Sequence, residues 1–170
     1  MGQRKLTFAD HQKSDIKFPV CVLADNLSLK ENIGSLFRLC DALAVERLYL
    51  SCPDNTLLDN KISKVARNTE KNVPHSIINA PLETLAQLKQ DDFTIISLEL
   101  TTQSIKIQDF DFGATKKICL ILGNESKGVS DELLEASDYC IHIPMLGINS
   151  SMNVISAASI AVFEICQHLS

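Results

Sequence analysis

The chain has 170 residues, of which 45% are hydrophobic and 22% are charged, and its formal net charge at pH 7 is −5. This length suits one domain with a hydrophobic core, so we expect a single domain over residues 1–170, with residues 1–17 as a short N-terminal extension. The acidic balance argues against a protein that coats nucleic acid over its whole surface. No apolar run reaches the roughly 20 residues of a membrane helix and the start lacks a signal-peptide core, so we expect a cytoplasmic protein without membrane attachment.

Short apolar runs rich in β-branched residues alternate with helical patterns along the chain. The predicted strands are 19–24, 47–51, 75–78, 93–98, 117–122 and 139–143. The predicted helices are 28–44, 58–68, 82–89, 130–136 and 154–168. Several strands are apolar without interruption, which indicates burial on both faces. The alternation predicts an α/β domain with a mostly parallel sheet flanked by helices.

The predicted helix 154–168 is apolar on nearly every side. Such a helix must be covered on both sides. A central core position and a subunit interface both satisfy this requirement. The interface is slightly favoured, because terminal elements of small domains usually lie at the surface.

Six cysteines and four histidines are scattered along the chain without a Cys-x-x-Cys pair or a nearby histidine doublet. This spacing favours cysteines packed in the core over a zinc site, and we predict no metal site. His142 alternates with Ile141 and Ile143, which predicts a strand residue that faces outward.

Three polar, glycine-containing segments interrupt the apolar pattern of the chain. The first of these interruptions is Asn32-Ile-Gly-Ser-Leu-Phe-Arg38. The preceding Ser28-Leu-Lys-Glu31 has the spacing of a capping box, and Asn32 is a second candidate cap. Gly34 and Arg38 lie opposite the apolar arc of this helix, where glycine costs roughly 1 kcal/mol relative to alanine. Close approach by another backbone or a ligand would explain the glycine, and Arg38 above it would find space for a phosphate or ribose. An ordinary surface arginine is the alternative.

The second interruption, Gly123-Asn-Glu-Ser-Lys-Gly128, directly follows a predicted buried strand. Ligands bind at such carboxyl ends of sheet strands. The segment Gly123 to Ser130 differs from the P-loop pattern at one position, because Val129 stands where the P-loop has the lysine that binds phosphate. This difference argues against nucleoside-triphosphate hydrolysis. Taken alone, Glu125 is a solvated loop carboxylate or a functional acid.

The third interruption runs from Ile143-Pro-Met to Ser150-Ser-Met-Asn153, at the start of the last helix. On these facts alone, Ser151 and Asn153 are either helix N-caps or functional polar groups.

The order and spacing of the three segments resemble the motifs of the SpoU/TrmH branch of the SPOUT methyltransferases, from about Phe18 to the C-terminus. Members of this family move a methyl group from S-adenosylmethionine to a ribose 2′-hydroxyl of tRNA or rRNA. The resemblance therefore implies a SPOUT domain with a C-terminal trefoil knot, S-adenosylmethionine as cofactor, a tRNA or rRNA substrate and no metal. It also implies a homodimer, because family members usually build each RNA site from two subunits. A noncatalytic RNA-binding or assembly protein on the same fold is the alternative.

The resemblance also assigns roles to residues. Arg38 would stabilise the nascent alkoxide and hold the adjacent phosphate, since a guanidinium does not deprotonate at ordinary pH. The other implied catalytic residues are Asn32, Glu125, Ser151 and Asn153. The implied cofactor contacts are Leu98, Leu122, Gly123, Ile143 and Met152. Two departures lie outside these sets. Leu43-Ala44-Val45 replaces the small-residue turn, usually containing glycine, after the first helix, and Asn68 stands where many relatives carry glycine.

A basic stripe of four residues gives a local positive charge to this acidic chain. Its members, spaced at three-, three- and four-residue steps, are Lys61, Lys64, Arg67 and Lys71. This spacing places them along one side of the predicted helix that begins near Leu58. They are either a solvated basic face or a contact surface for RNA phosphates.

Overall fold

The computed structural model describes residues 16–51 and 60–169, together with Lys5 and Asp10. Within these residues the strands are β1 (Phe18–Asp25), β2 (Val45–Ser51), β3 (His75–Ile78), β4 (Thr94–Leu98), β5 (Ile105–Lys106), β6 (Ile118–Leu122) and β7 (Tyr139–His142). The α-helices are α1 (Lys30–Ala42), α2 (Asn60–Ala66), α3 (Pro81–Gln90), α4 (Asp131–Ala136) and α5 (Val154–His168). The predicted beginning of the second helix at Leu58, most of the N-terminal extension 1–17, and one cysteine and one histidine, Cys52 and His11, lie outside the described residues.

The described strands form one sheet in the order β3-β2-β1-β6-β4-β7-β5, and every neighbouring pair is parallel. The predicted mostly parallel sheet flanked by helices is confirmed. Alternate residues of β1 explain the uninterrupted apolar runs: Val20 and Val22 pack in a cluster with α1 and α5, whereas Cys21 and Leu23 pack in a second cluster with α3 and α4. The sheet is therefore covered on both faces, as parallel sheets usually are. The two-residue strand β5 was not predicted, because its exposed residues form no apolar run.

The thiols of the inner cysteines belong to this core. Cys21, Cys40, Cys119 and Cys166 are buried, which confirms the packing role predicted for them. Burial raises the pKa of both Cys21 and Cys40 to about 12, so these thiols stay protonated.

Among the described residues, no cluster of three or more histidines, cysteines or carboxylates could hold a metal ion. In the same part of the chain, no helix has the length and apolar character needed to cross a membrane.

Helix α2 packs against α1 at Gly34. A Cβ built on Gly34 would lie 2.7 Å from Val65 Cβ and 2.9 Å from the carbonyl oxygen of Ile62. The glycine therefore admits a neighbouring backbone, which is one of the two reasons proposed for it. The contact with α2 accounts for the glycine, whereas Arg38 is exposed, so a phosphate or ribose beside Arg38 stays a prediction.

Helix α2 ends at Ala66, two residues earlier than predicted. Arg67 and Asn68 both adopt left-handed backbone conformations, with φ of 54° and 66°. Such conformations cannot continue a right-handed helix. The basic stripe is therefore not one helix face: Lys61 and Lys64 lie on α2, whereas Arg67 and Lys71 follow its end.

Helix α5 is buried on one side only. Its buried residues are Ala158, Ala161, Val162, Ile165 and Cys166. On the other side, Ile160 is 44% exposed and Phe163 is 53% exposed. A central core position, one of the two readings of this apolar helix, is therefore excluded for the described chain, and an outward apolar face is left.

Ala44 has a positive φ of 51°, directly after the end of α1. Alanine is disfavoured there by roughly 1–2 kcal/mol, whereas glycine adopts this conformation freely. We expect Ala44→Gly to raise the free energy of unfolding by about 0.5–1 kcal/mol, after the greater flexibility of glycine in the unfolded chain is subtracted. Ala42→Gly, inside the last turn of α1, should instead lower it by roughly 1 kcal/mol. Urea titration of both variants would test this, and the same sign for both changes would contradict the strain argument.

Candidate active site

A cavity of about 530 Å³ lies at the carboxyl ends of β4, β6 and β7. This volume is within the usual range for small-molecule sites. All five residues implied as cofactor contacts line it: Leu98, Leu122, Gly123, Ile143 and Met152. Ser151 and Glu125 line it as well. The segments of the second and third motifs, which are well separated in sequence, thus share one cavity.

The loop after β6 is held in a tight and rigid shape. The backbones of Asn124 and Gly128 exchange hydrogen bonds of 2.9 and 3.0 Å. A Cβ at Gly123 would collide with the backbone of Gly128 and Val129, so only glycine fits there. The Asn124 side chain accepts a hydrogen bond from the Ser126 N–H at 3.0 Å and donates one to the carbonyl oxygen of Asn26 at 2.6 Å. This loop therefore presents Glu125 in a fixed direction.

The Glu125 carboxylate binds the beginning of α1. It accepts hydrogen bonds from the backbone N–H of Ser28 at 3.1 Å and of Leu29 at 3.0 Å. The Ser28 hydroxyl and the Asn32 side-chain amide also donate to it, at 3.0 and 2.9 Å. A negative charge is favourable at a helix N-terminus, where backbone N–H groups lack partners within the helix.

The predicted side-chain caps of α1 are therefore wrong. The N-cap residue is Leu29, whose side chain cannot cap, and Ser28 and Asn32 direct their side chains to Glu125 instead. The acceptor that a local cap would supply comes from a loop 93 to 97 residues further along the chain.

These hydrogen bonds determine the charge state of Glu125. Burial alone would raise the pKa of its carboxyl group, but the hydrogen bonds from Asn32 and from the backbone of Leu29, of Ser28 and of Glu125 itself lower the pKa to about 2. Glu125 is therefore a stable anion at neutral pH and a poor proton acceptor. Its geometry fits a positioning role for the first motif.

Asn153 extends this network to the third motif. Its side-chain amide donates to Asn32 Oδ1 at 3.2 Å, and its Oδ1 accepts from the Ile155 N–H at 2.8 Å. Asn153 is thus the N-cap of α5 and also a partner of Asn32. One continuous chain of hydrogen bonds, Glu125–Asn32–Asn153, joins all three motif segments.

Arg38 is not part of the cavity lining. It is exposed on α1, six residues beyond Asn32, which corresponds to a rise of about 9 Å along the helix. No hydrogen bond or ion pair joins it to another described residue. The structure therefore brings together four of the five implied catalytic residues and leaves Arg38 apart from them.

The basic stripe lies on the surface outside this cavity, and all four of its residues are exposed. Lys61 forms an ion pair with Glu31 at 2.7 Å, which also lowers the pKa of that carboxyl group. Part of the charge of Lys61 is therefore compensated within the protein.

His142 and Glu99 are among the lining residues of the cavity that the sequence did not single out as functional. His142 is a half-buried residue of β7 next to the buried Ile141, as its predicted strand position implies, and its Nδ1 lies 3.0 Å from Ser104 Oγ. Glu99 follows β4 directly and also lines the cavity. Its place at the carboxyl end of a buried parallel strand was the sequence signal that could have identified it.

A profile of the SpoU rRNA Methylase family matches residues 19–163, which include all three motif segments. The chain belongs to this family. It is 33% identical over 144 residues to the tRNA (guanosine(18)-2′-O)-methyltransferase of Aquifex aeolicus, a match that covers 84% of this chain and 66% of that protein. The chain thus spans slightly less than two thirds of the length of this curated relative.

Solved structures of family members have the same fold. The TrmH/SpoU tRNA-modifying enzyme of A. aeolicus superposes with a TM-score of 0.81 at 29% identity, covering 89% of this chain and 76% of that chain. AviRb from Streptomyces viridochromogenes, solved in complex with AdoMet, superposes with a TM-score of 0.77 at 27% identity, covering 86% of this chain and 56% of that chain.

The Glu125 hydrogen bonds predict a pH-dependent contribution to stability. We expect Glu125→Gln to lower the free energy of unfolding at pH 7 by about 1–2 kcal/mol, after solvent screening of this partly exposed group is allowed for. The pKa of the carboxyl group is lowered in the folded state, so its contribution is fully present above about pH 4.5, the ordinary pKa, and is lost as the pH falls toward 2. Urea titrations of both proteins at pH 7, 5 and 3.5 would show the difference shrinking.

The exposed carboxylate Glu132 provides a matched control. Glu132→Gln should change stability little at any of these pH values. If the difference in the free energy of unfolding between wild type and Glu125→Gln is equal at pH 7 and pH 3.5, the ionised Glu125 carboxylate does not stabilise the beginning of α1.

Proposed function

We propose that this protein transfers a methyl group from S-adenosylmethionine to a ribose 2′-hydroxyl of tRNA or rRNA. The observation that carries the proposal is the Glu125–Asn32–Asn153 network, which joins all three family motifs beside one cavity. A noncatalytic protein on this fold would be expected to lose polar motif residues, whereas Asn32, Arg38, Glu125, Ser151 and Asn153 are all present. Membership in the SpoU rRNA Methylase family supports the same conclusion.

The cavity fits the cofactor chemically. Leu98, Leu122, Ile143 and Met152 offer an apolar wall to an adenine ring, and Gly123 leaves its backbone open to approach. The lining also includes polar residues such as Glu99, Thr101 and Ser151, which suit the ribose and the amino-acid part. When bound, S-adenosylmethionine supplies the electrophilic methyl group. The related AviRb was solved with this molecule, which supports its assignment here.

The protein's own residues would align the 2′-oxygen and stabilise its developing charge. Asn32 and Asn153 fix the relative positions of the first and third motifs beside Ser151. Arg38 would hold the phosphate next to the target ribose and stabilise the alkoxide through its planar fork of donors. Alignment of this kind can supply several kcal/mol of the barrier.

Incubation with radiolabelled S-adenosylmethionine and either tRNA or rRNA, followed by nuclease digestion, tests the proposal directly. A labelled 2′-O-methyl nucleoside is expected. Binding of RNA without methyl transfer to either RNA would favour the noncatalytic alternative.

We expect Arg38→Ala to abolish methyl transfer while the dissociation constant of the cofactor changes by less than a few fold, because Arg38 lies outside the cavity. Arg38→Lys should also fail, because an ammonium is a point charge and does not reproduce the guanidinium fork. Lys116→Ala, an exposed cation elsewhere, is the control. Near-normal turnover by the lysine variant would refute the role given to Arg38.

We further propose that residues 1–170 form one SPOUT domain with a C-terminal trefoil knot and that the protein works in the cytoplasm as a homodimer. The superposition on the A. aeolicus enzyme supports the knotted fold. The outward face of α5, with Ile160 and Phe163, supports the dimer, since a partner subunit would cover it. Arg38 lies outside the cavity of its own subunit, so a dimer in which it reaches the cavity of the partner subunit would complete the site.

Phe163→Glu places a charge on the proposed interface, and we expect it to convert a dimer into a monomer and to abolish methyl transfer. Ile77→Glu, at a 40% exposed position on β3, should leave the mass unchanged. Light scattering at the assay concentration would measure both variants. A wild-type monomer with full activity would end the dimer proposal.

The proposed RNA contacts are the four residues of the basic stripe. Lys64 and Arg67 are its best candidates, because both are exposed and neither is paired to a described carboxylate in the way that Lys61 is. They would provide the local positive charge that an acidic protein needs to hold phosphates.

Reversal of both charges, Lys64→Glu with Arg67→Glu, should raise the Michaelis constant for RNA and leave cofactor binding unchanged. Each lost phosphate contact should flatten the log-log salt slope by up to about 0.7 on single-stranded RNA. Lys17→Glu with Lys116→Glu is the matched double reversal and should have a smaller effect. If the stripe variant keeps the parent affinity and salt slope, RNA binds elsewhere.

A further inference from the structure

Glu99 is fixed in place by the strands and loops around the cavity. Its backbone N–H donates to the Ile141 carbonyl at 2.9 Å, and its carbonyl oxygen accepts from Cys140 Sγ at 3.4 Å. Its carboxylate accepts from the N–H of Leu100 at 2.9 Å and from the N–H of Val129 at 3.0 Å. The side chain therefore connects the end of β4 to the loop after β6.

The Glu99 carboxylate has acceptor capacity beyond these two hydrogen bonds. An ionised carboxylate offers about four acceptor positions, and two described N–H groups occupy two of them. The side chain is partly buried and lines the cavity, so a ligand in the cavity can reach it. Gly128, with φ of 71°, leaves the necessary room, because a Cβ at this position would collide with the carboxylate.

The neighbours of Glu99 indicate which donors it would meet. Leu98 precedes it and belongs to the apolar wall of the cavity, together with Ile143 and Met152. Glu99 is the carboxylate that directly follows Leu98 of this wall, so it is the acceptor we assign to the ribose of an adenosine whose ring lies against the wall. In other doubly wound sheets, an acidic residue at the carboxyl end of a strand binds ribose hydroxyls through the same chemistry.

We propose that the Glu99 carboxylate accepts hydrogen bonds from the ribose hydroxyls of the cofactor's adenosine and thereby selects a ribonucleoside. This inference rests on the proposed function, because it takes the cavity as the site for S-adenosylmethionine. The carboxylate has two roles in this arrangement, as a support of the loop after β6 and as a ligand of the ribose.

The two roles can be separated by calorimetry with S-adenosylhomocysteine and its 2′-deoxy and 3′-deoxy analogues. Wild type should bind at least one deoxy analogue about tenfold more weakly than the parent compound, because loss of a hydrogen bond to a charged group is costly. In Glu99→Ala, this ratio should fall to about twofold or less, since the hydroxyl has then lost its partner. Asp131→Asn, which removes an exposed carboxylate that also lines the cavity, should keep the wild-type ratio.

A purely structural role for Glu99 predicts a different result. Loss of the loop support would weaken binding of all three compounds equally, and an unchanged ratio in Glu99→Ala would overturn the inference. Equal affinity of wild type for all three compounds would also overturn the inference. This measurement needs no variant, so it remains decisive if Glu99→Ala fails to fold. If wild type binds neither these compounds nor S-adenosylmethionine, the proposed methyltransferase function itself fails, and this inference with it.

Discussion

The site depends on one carboxylate placed at the beginning of one helix. Glu125 supplies the negative charge and the acceptors that the first turn of α1 lacks, and the hydrogen-bond donors that satisfy it also orient Asn32. Asn32 then fixes Asn153, and Asn153 begins α5. The two helices and the loop after β6 are therefore aligned by a single ionic cap, and removal of its charge would disturb all three together.

The parallel sheet provides the rigid base for this arrangement. Because β1 is buried on both faces, its neighbours β2 and β6 have little freedom to shift, and the loops that follow the strands begin from fixed points. The loops at the carboxyl edge carry the polar groups, while the layers beneath are apolar. This division gathers the polar groups of the site at one edge of an otherwise apolar sheet.

The architecture could be predicted from the sequence because it depends on local periodicity. The all-apolar strand 118–122 and the amphipathic pattern of α1 each identify their own element. The cap of α1 could not be predicted, because Ser28 and Glu31 have the spacing of a local capping box while the true acceptor is Glu125. The role of Gly34 was open for a similar reason: the sequence indicates a close approach but does not identify the partner, which is the backbone of α2. Glu99 was missed because a single acidic residue has no periodic pattern, and only its place at the end of a strand marks it.

The distance in sequence between Glu125 and its donors also has a consequence for synthesis of the protein on the ribosome. Ser28 and Glu125 are 97 residues apart, and β1 pairs with both β2 and β6. A nascent chain that ends before β6 can form α1, but it lacks both the carboxylate that caps the helix and one neighbour of the central strand. Since chains elongate at about 5–20 residues per second, Glu125 is synthesised on the order of ten seconds after the beginning of α1. The site is therefore assembled only after the loop that carries Glu125 has left the ribosome.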